Sequence, residues 1–142
     1  MKNFKVFALA LVTAFALYSC SNVEKILPKK DGLWNVTSQT DEEYEDGTLV
    51  TTTTTTDSLP SWMFNSDGTG EVFEFGGASG GTFNWVYDDN NESVTITQDG
   101  LGLAFTVVES SKDAQTWTSS LEIDFAGTIF RTDSRYELAR AE

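Results

Sequence analysis

Turn signals divide most of this chain into short runs in which apolar and polar residues alternate. The tight turns of β-hairpins need positive φ, so an Asp-Gly pair between two alternating runs predicts antiparallel strands. In one run, Phe83, Trp85 and Tyr87 fall on the same face of a strand. After Lys30, no segment has the apolar spacing of a long helix. The pattern predicts an all-β fold. Asp-Gly pairs occur at 31–32, 46–47, 67–68 and 99–100.

Nine runs have this character, and alternation means that one wall of each strand faces a core while the other faces water. A sheet of so many strands leaves exposed edges unless it closes on itself. The spacing of the turns suits a meander of neighbouring strands. The prediction is an antiparallel up-and-down β-barrel of about eight to nine strands over residues 31–142. The candidate strands are approximately 33–43, 48–57, 61–66, 69–75, 82–88, 92–98, 101–109, 115–125 and 128–139.

The first twenty residues have the layout of an export signal. Two lysines precede an apolar run of about 13 residues, which is typical of a secretory signal peptide and short of the roughly 20 residues that a spanning helix needs. The run ends in Leu17-Tyr18-Ser19-Cys20, which resembles the lipobox of bacterial lipoproteins. That resemblance implies a signal peptide over 1–19, acyl chains on Cys20 and anchoring in a membrane. The alternative is an ordinary signal peptide that ends near a cysteine.

The segment 20–30 is polar and contains a proline, so we expect a lipidated tether between the anchor and the barrel. Cys20 is the one cysteine of the chain, which rules out an internal disulfide. Ser21, directly after it, is compatible with sorting to the outer membrane by the behaviour familiar in lipoproteins. The sequence leaves open whether the domain faces the periplasm or the cell exterior.

Composition narrows the possible functions. The chain has no histidine, which excludes Ser-His-Asp and Cys-His catalysis and histidine-ligated metals. With 22 acidic and 9 basic residues, its formal charge of −13 is unsuited to nucleic acid and typical of a soluble secreted domain. A carboxylate pair for glycoside hydrolysis stays possible on composition alone. The expectation is a protein that is not an enzyme and that has no cofactor and no metal.

Two polar segments each have two interpretations. Thr51 to Thr56 is a run of six threonines, which suits a strand without an apolar face. It is either a solvated hairpin arm or a ladder of hydroxyls for sugar or ice. The acidic segment 41–46 is either a solvated hairpin tip or a calcium site, although alternation would point neighbouring carboxylates to opposite faces. The solvated interpretation is favoured for both.

Several short motifs together resemble a known family. Gly32-Leu33-Trp34 opens the β domain, and the Met63–Gly70, Phe83–Trp85 and Tyr136–Arg140 segments follow in order. This arrangement resembles the lipocalin-like domains found on many lipoproteins of Gram-negative bacteria. The resemblance implies a barrel base closed by an arginine of the last strand packed on Trp34. Arg140 fits that role best by position, with Arg131 and Arg135 as alternatives.

The aromatic content of 13% offers candidates for a ligand pocket. A barrel of about eight strands has an interior just wide enough for side chains or for one small ligand. The main hypothesis is a lipid-anchored envelope lipoprotein that binds a small apolar or amphipathic ligand. The alternative is a structural or protein-interaction module with a filled barrel, and an interior void of about 300 Å³ or more would distinguish them. The candidate lining residues are Phe73, Phe75, Phe83, Trp85, Phe105 and Trp117.

Overall fold

The computed structural model describes residues 22–142, and the predicted signal peptide and Cys20 lie outside these residues. A short helix, α1 (Val23–Ile26), and a 3₁₀ turn (Lys30–Gly32) precede nine strands. No helix among the described residues is long and apolar enough to span a membrane. The strands are β1 (Leu33–Glu45), β2 (Thr48–Thr55), β3 (Ser61–Phe64), β4 (Thr69–Phe73), β5 (Ser79–Asp88), β6 (Ser93–Gln98), β7 (Leu101–Ser110), β8 (Ala114–Phe125) and β9 (Thr128–Arg140).

The strands form one antiparallel sheet in the order β2-β1-β3-β4-β5-β6-β7-β8-β9, and β1 also pairs with β9. This second pairing closes an eight-stranded barrel and leaves β2 as an additional strand. The predicted all-β antiparallel barrel is therefore confirmed. Closure joins the two ends of the domain, because Trp34 pairs with Arg140 and Glu45 pairs with Phe130.

One edge of β1 is shared between two partners. Its first residues, 33–35, pair with β3, whereas residues 39–45 pair with β2. On the far side of the barrel, β7 pairs with β8 only up to Thr118, so residues 119–125 of β8 have no β7 partner. Four strands consequently continue beyond the barrel as a sheet in the order β2-β1-β9-β8. We call this sheet the extension, and it consists of residues 39–45, 48–55, 119–125 and 128–134.

The two ends of the barrel differ. At the end that we call the base lie the start of β1, the turn over 111–113 and the chain end at Arg140. At the opposite end, the mouth, lie the β4–β5 and β6–β7 turns, and the extension projects past it. The threonine-rich strand β2 is the exposed outer edge of the extension, as expected for a solvated hairpin arm.

The hydrophobic core fills the base half of the barrel. Trp34, Phe64 and Trp117 are essentially inaccessible to solvent, and Phe64 meets the ring edges of Phe83 and Trp85 at centroid distances of 5.3 and 5.5 Å. Such edge-on pairs add to the stability gained from burial of the rings. A glycine is required beside this cluster, because a Cβ on Gly70 would lie 2.3 Å from the ring of Phe83.

The segment after Asn22 differs from the free tether expected over 20–30. Val23, Ile26 and Leu27 are buried beneath the barrel, with exposed fractions of 2, 8 and 0%. Helix α1 brings the three apolar side chains to one side while Lys25 and Glu24 face solvent. Burial of three aliphatic side chains contributes several kcal/mol at about 1.5–3 kcal/mol each. The base is therefore covered by residues 23–30, which we call the covering segment.

Candidate functional site

The base is locked by the contact of Trp34 with Arg140. The guanidinium of Arg140 lies 4.2 Å from the centre of the Trp34 ring. It donates to the carbonyls of Ile26 and Lys112, at 2.8 Å each, and to that of Lys29. Burial lowers the pKa of Arg140, and the negative charge of Asp113 opposes that shift. The structure thus brings together the two residues that the lipocalin resemblance pairs.

Trp34 has a second partner in the covering segment. Its Nε1 donates to the carbonyl of Leu27 at 2.9 Å, so the indole is held between this carbonyl and the guanidinium. A cation over an indole face gains about 0.5–2 kcal/mol, more when desolvated. These contacts, together with the buried Val23, Ile26 and Leu27, close the interior of the barrel at the base. A binding site inside the barrel has to open at the other end.

The mouth contains a cavity of about 370 Å³. Its walls come from β3, β4, β5, β6 and β7, which carry apolar side chains on their inner faces. Its polar groups, Gln98 and Asp99, belong to the β6–β7 end, where the Gln98 amide donates to the carbonyl of Gly80 at 3.2 Å. The lining residues are Trp62, Val72, Phe83, Ile96, Gln98, Asp99, Leu101, Leu103 and Phe105.

Aromatic rings form the floor between the cavity and the core. Trp62 stacks on Trp117 with ring centres 5.8 Å apart and planes inclined by 28°. Its ring centre also lies 5.7 Å from that of Phe105 and 5.8 Å from that of Tyr136. A ligand in the cavity would therefore contact an indole that is already fixed in orientation by its neighbours.

The structure places two of the six candidate lining residues at this cavity, Phe83 and Phe105. Trp117 lies below the floor and is fully buried. Trp85 also belongs to the packed core, because its Nε1 donates to the carbonyls of Asn65 and Thr69 in the β3–β4 turn at the base. The expectation that these two tryptophans line the cavity inside the barrel is corrected, because alternation gave no depth along the barrel. Trp85 instead borders a separate groove of about 670 Å³ at the base, between the segment after Asn22 and β5.

Phe73 and Phe75 lie outside the barrel. They border a shallow surface with Leu59 and the glycine turn, and Phe75 is 72% exposed. Gly70 and Val72 face inward, so the regular alternation of β4 puts Phe73 on the outer face. The prediction that these two rings line the interior is therefore wrong.

Sequence reasoning missed Trp62. It is the aromatic residue that lies between the cavity and the buried Trp117. The alternation of Trp62 with Phe64 in the short run 61–66 was the available signal, because residues two apart on a strand share a face.

The extension continues the inner wall beyond the mouth. Regular pairing carries the face of Trp117 and Tyr136 on to Ser119 and Ser134. The apolar side chains on this face are largely exposed. They are Leu121, Ile123, Phe125 and Phe130.

Polar groups lie on the same face, on β1. Gln39 is paired with Tyr136. Asp41 accepts hydrogen bonds from the Ser134 hydroxyl at 2.6 Å and from the Gln39 amide at 2.9 Å. The inner face of the extension is therefore mixed, with an apolar stripe on β8 and β9 and carboxylates on β1.

The opposite face of the extension is polar and forms a separate groove of about 450 Å³. There the Tyr44 hydroxyl donates to Glu42 at 2.7 Å, and this bond raises the pKa of Tyr44. Arg131 lies over the Tyr44 ring and 3.1 Å from Asp133. Arg131 is thus held between the Tyr44 ring and the carboxylate of Asp133.

The described residues contain no group of three or more His, Cys, Asp or Glu side chains placed to hold a metal ion. Comparison of the chain with protein-family models, with curated proteins and with solved structures finds no match. At the level of fold, the closed eight-stranded antiparallel barrel is compatible with a lipocalin-like domain.

Proposed function

We propose that this chain is a lipid-anchored envelope lipoprotein of the outer membrane whose barrel binds a small apolar or amphipathic ligand at its mouth. It acts as a binding protein rather than as an enzyme. The observation that carries the proposal is the apolar cavity of about 370 Å³ above a packed aromatic floor. Ligand pockets of small molecules span about 300–1,000 Å³ and are lined mainly by apolar and aromatic side chains.

The position of the anchor is consistent with this role. Asn22, the first described residue, lies at the base beside the buried Val23. Cys20 is two residues earlier, and two residues span at most about 7 Å. A lipid on Cys20 would hold the base next to the membrane, with the mouth and the extension directed away from it and accessible to ligand.

A second candidate has its own supporting observation. The base half is filled by fully buried side chains such as Trp34, Phe64 and Trp117, as in a barrel that encloses nothing. In that case the chain is a structural or protein-interaction module. The two functions differ in what they predict for the mouth, because a module of this kind has no need for a small-molecule ligand there.

The test is binding of a neutral solvatochromic dye, in detergent-free buffer, to the purified chain without residues 1–20, so that neither the signal peptide nor acyl chains on Cys20 take up dye. Leu103 lines the cavity and is partly exposed, so Leu103→Trp should fill the mouth without disturbing the buried core. We expect it to weaken dye binding by about tenfold or more, since the bulkier ring occupies the space that the dye uses.

Val108→Trp is the matched control. Val108 is on the same strand as Leu103, has nearly the same exposure (44 against 42%) and does not line the cavity. It introduces the same side chain away from the mouth and should leave dye affinity unchanged. Equal affinity of the two variants, or no dye binding by the wild type, would favour the filled module.

A further inference from the structure

The basic residues of the described segment are kept away from the mouth. Lysines occur in the covering segment and in the β7–β8 turn, all at the base, and Arg140 closes that base. The other two arginines are on the outer face of β9. Arg131, in the extension, is paired with Glu122 of β8, and Arg135, one residue past the end of the extension, is paired with Thr118 of β8. Between residues 22 and 142, no cationic side chain lies on the inner wall of the mouth. The lysines are Lys25, Lys29, Lys30 and Lys112.

Carboxylates, by contrast, surround the entrance. Asp99 belongs to the cavity lining itself. Asp41 lies on the inner face of the extension, where it is paired with Ser134, two residues from Tyr136 on the same face. Glu43 is on the same face as Asp41 and is exposed.

A series of neighbouring side chains connects the cavity with Asp41. Phe105 lines the cavity, and its ring centre lies 5.5 Å from that of Tyr136. Tyr136 is paired with Gln39, whose amide donates to Asp41. An amphiphile with its tail against Phe105 would therefore extend its head group along the wall that carries Asp41. Asp41 is partly buried, so water screens its charge less than it screens that of a fully exposed carboxylate.

From this charge distribution we infer that the ligand is a cationic amphiphile, such as a long-chain amine or quaternary ammonium compound, and that fatty-acid anions are disfavoured. This inference rests on the proposed ligand-binding function. A carboxylate head in the mouth would meet only like charges, which disfavours binding, whereas an ammonium head would meet opposite ones. The apolar wall contributes affinity for any tail, and the acidic entrance selects the head.

The experiment compares three amphiphiles with the same tail: dodecyltrimethylammonium, dodecanol and dodecanoate. The two ionic amphiphiles are used below their micelle concentrations, and the alcohol below its solubility limit, to displace the neutral dye from the same purified chain without residues 1–20. We expect the cation to displace dye at a concentration about tenfold or more below that of the anion at low salt, with the alcohol between them. The preference should decline as ionic strength rises from about 0.01 to about 1 M, because the Debye length shortens from about 30 to about 3 Å.

Two sets of variants assign the preference to the mouth. The first combines Asp41→Asn, Glu43→Gln and Asp99→Asn, which removes the carboxylates around the entrance. The concentrations at which the cation and the anion displace the dye should then differ by no more than about threefold, since the nearest negative charges are gone.

The matched set combines Glu42→Gln, Glu122→Gln and Asp124→Asn. It removes the same formal charge from the outer face of the extension, on β1 and β8. This set should retain most of the preference, because the charges it removes face away from the ligand.

The outcomes separate this inference from the function on which it depends. If none of the amphiphiles and no dye binds, the proposed function is wrong and the inference falls with it. If cation and anion displace the dye equally, ligand binding stands and the charge selection is refuted. If both sets of variants reduce the preference equally, the overall charge of the protein causes it, and its assignment to the mouth is overturned.

Discussion

Replacement of Arg140 by methionine tests how the base is held. Methionine keeps an unbranched apolar side chain of similar reach over Trp34 and removes the guanidinium. The variant loses three hydrogen bonds to the carbonyls of Ile26, Lys29 and Lys112, as well as the cation over the indole. No salt bridge within 4.0 Å connects Arg140 to an acid among the described residues, so these contacts are its main attachment.

The magnitude follows from those contacts. In the variant, the Ile26 carbonyl still accepts from the Lys29 N–H and the Lys29 carbonyl still accepts from the Gly32 N–H. Neither carbonyl is left without a donor, so the loss of each bond to Arg140 costs about 1 kcal/mol. The third bond adds a similar amount, and the cation–π contact adds about 1 kcal/mol. Packing of the methionine side chain regains about 1 kcal/mol. The expected loss in free energy of unfolding is about 3 kcal/mol.

The assay is urea unfolding followed by far-ultraviolet circular dichroism, which reports the loss of the β-sheet, with separate baselines fitted for each variant. With a urea slope of about 2 kcal/mol per molar, the midpoint should fall by about 1.5 M. Arg135→Met is the control, because Arg135 is 46% exposed and forms only a surface ion pair of 3.6 Å with Glu137. Such pairs contribute about 0–1 kcal/mol, so its midpoint should move by no more than about 0.5 M.

A double-mutant cycle completes this test. Trp34→Leu removes the ring under the guanidinium, and the losses of Trp34→Leu and Arg140→Met should fall short of additivity by about 1 kcal/mol. Additive losses, or a loss for Arg140→Met no larger than that for Arg135→Met, would refute the view that this pair locks the base.

Three further predictions concern other parts of the chain. Gly70→Ala should lower the free energy of unfolding by about 1–3 kcal/mol, because its Cβ would overlap the ring of Phe83, and a midpoint unchanged from wild type would contradict the packing described. The hydroxyl and backbone N–H of Thr69 lower the pKa of Asp67, so the stability from this carboxylate should be complete above its ordinary pKa of 3.8 and lost as pH falls through the lower folded value. In Asp67→Asn, the urea midpoint should fall less steeply at acidic pH than in the wild type. An equal fall in both proteins would show that other groups cause the loss of stability in acid. Cys20→Ala should abolish membrane fractionation and leave precursor or soluble protein, whereas an unmodified Cys20 in the mass spectrum of the wild type would refute lipidation.

The strands could be predicted because their signals are local. Alternation with period 2 and Asp-Gly turns each act over a few residues, and they placed the strands from β3 to β9 within a few positions. The division of β1 between β2 and β3 had no such signal. A long strand keeps the same alternation when its partner changes, so the sequence of 33–45 is silent about where the barrel ends and the extension begins.

The interior was harder to predict than the strands. The run from Gly70 to Phe75 carries apolar side chains on both faces, Val72 inside and Phe73 and Phe75 outside, so alternation alone did not show which face is the inner one. Trp85 and Trp117 are on the inner face, but their depth depends on the stagger of neighbouring strands. The covering segment is stabilised by only three apolar side chains, Val23, Ile26 and Leu27, in a polar stretch, too few to show a periodicity.

The pairing of β1 with β9 has a consequence for the time course of folding. The Thr37 hydroxyl donates to the carbonyl of Glu137, 100 positions later, and the whole β1–β9 ladder joins similarly distant residues. Contacts so far apart in sequence carry a large loop-closure entropy, and β-barrels dominated by them fold in about milliseconds to seconds. The last strand to leave the ribosome is the one that β1 requires. Until β9 has been synthesised, the emerging chain can form hairpins but has no means of closing into a barrel.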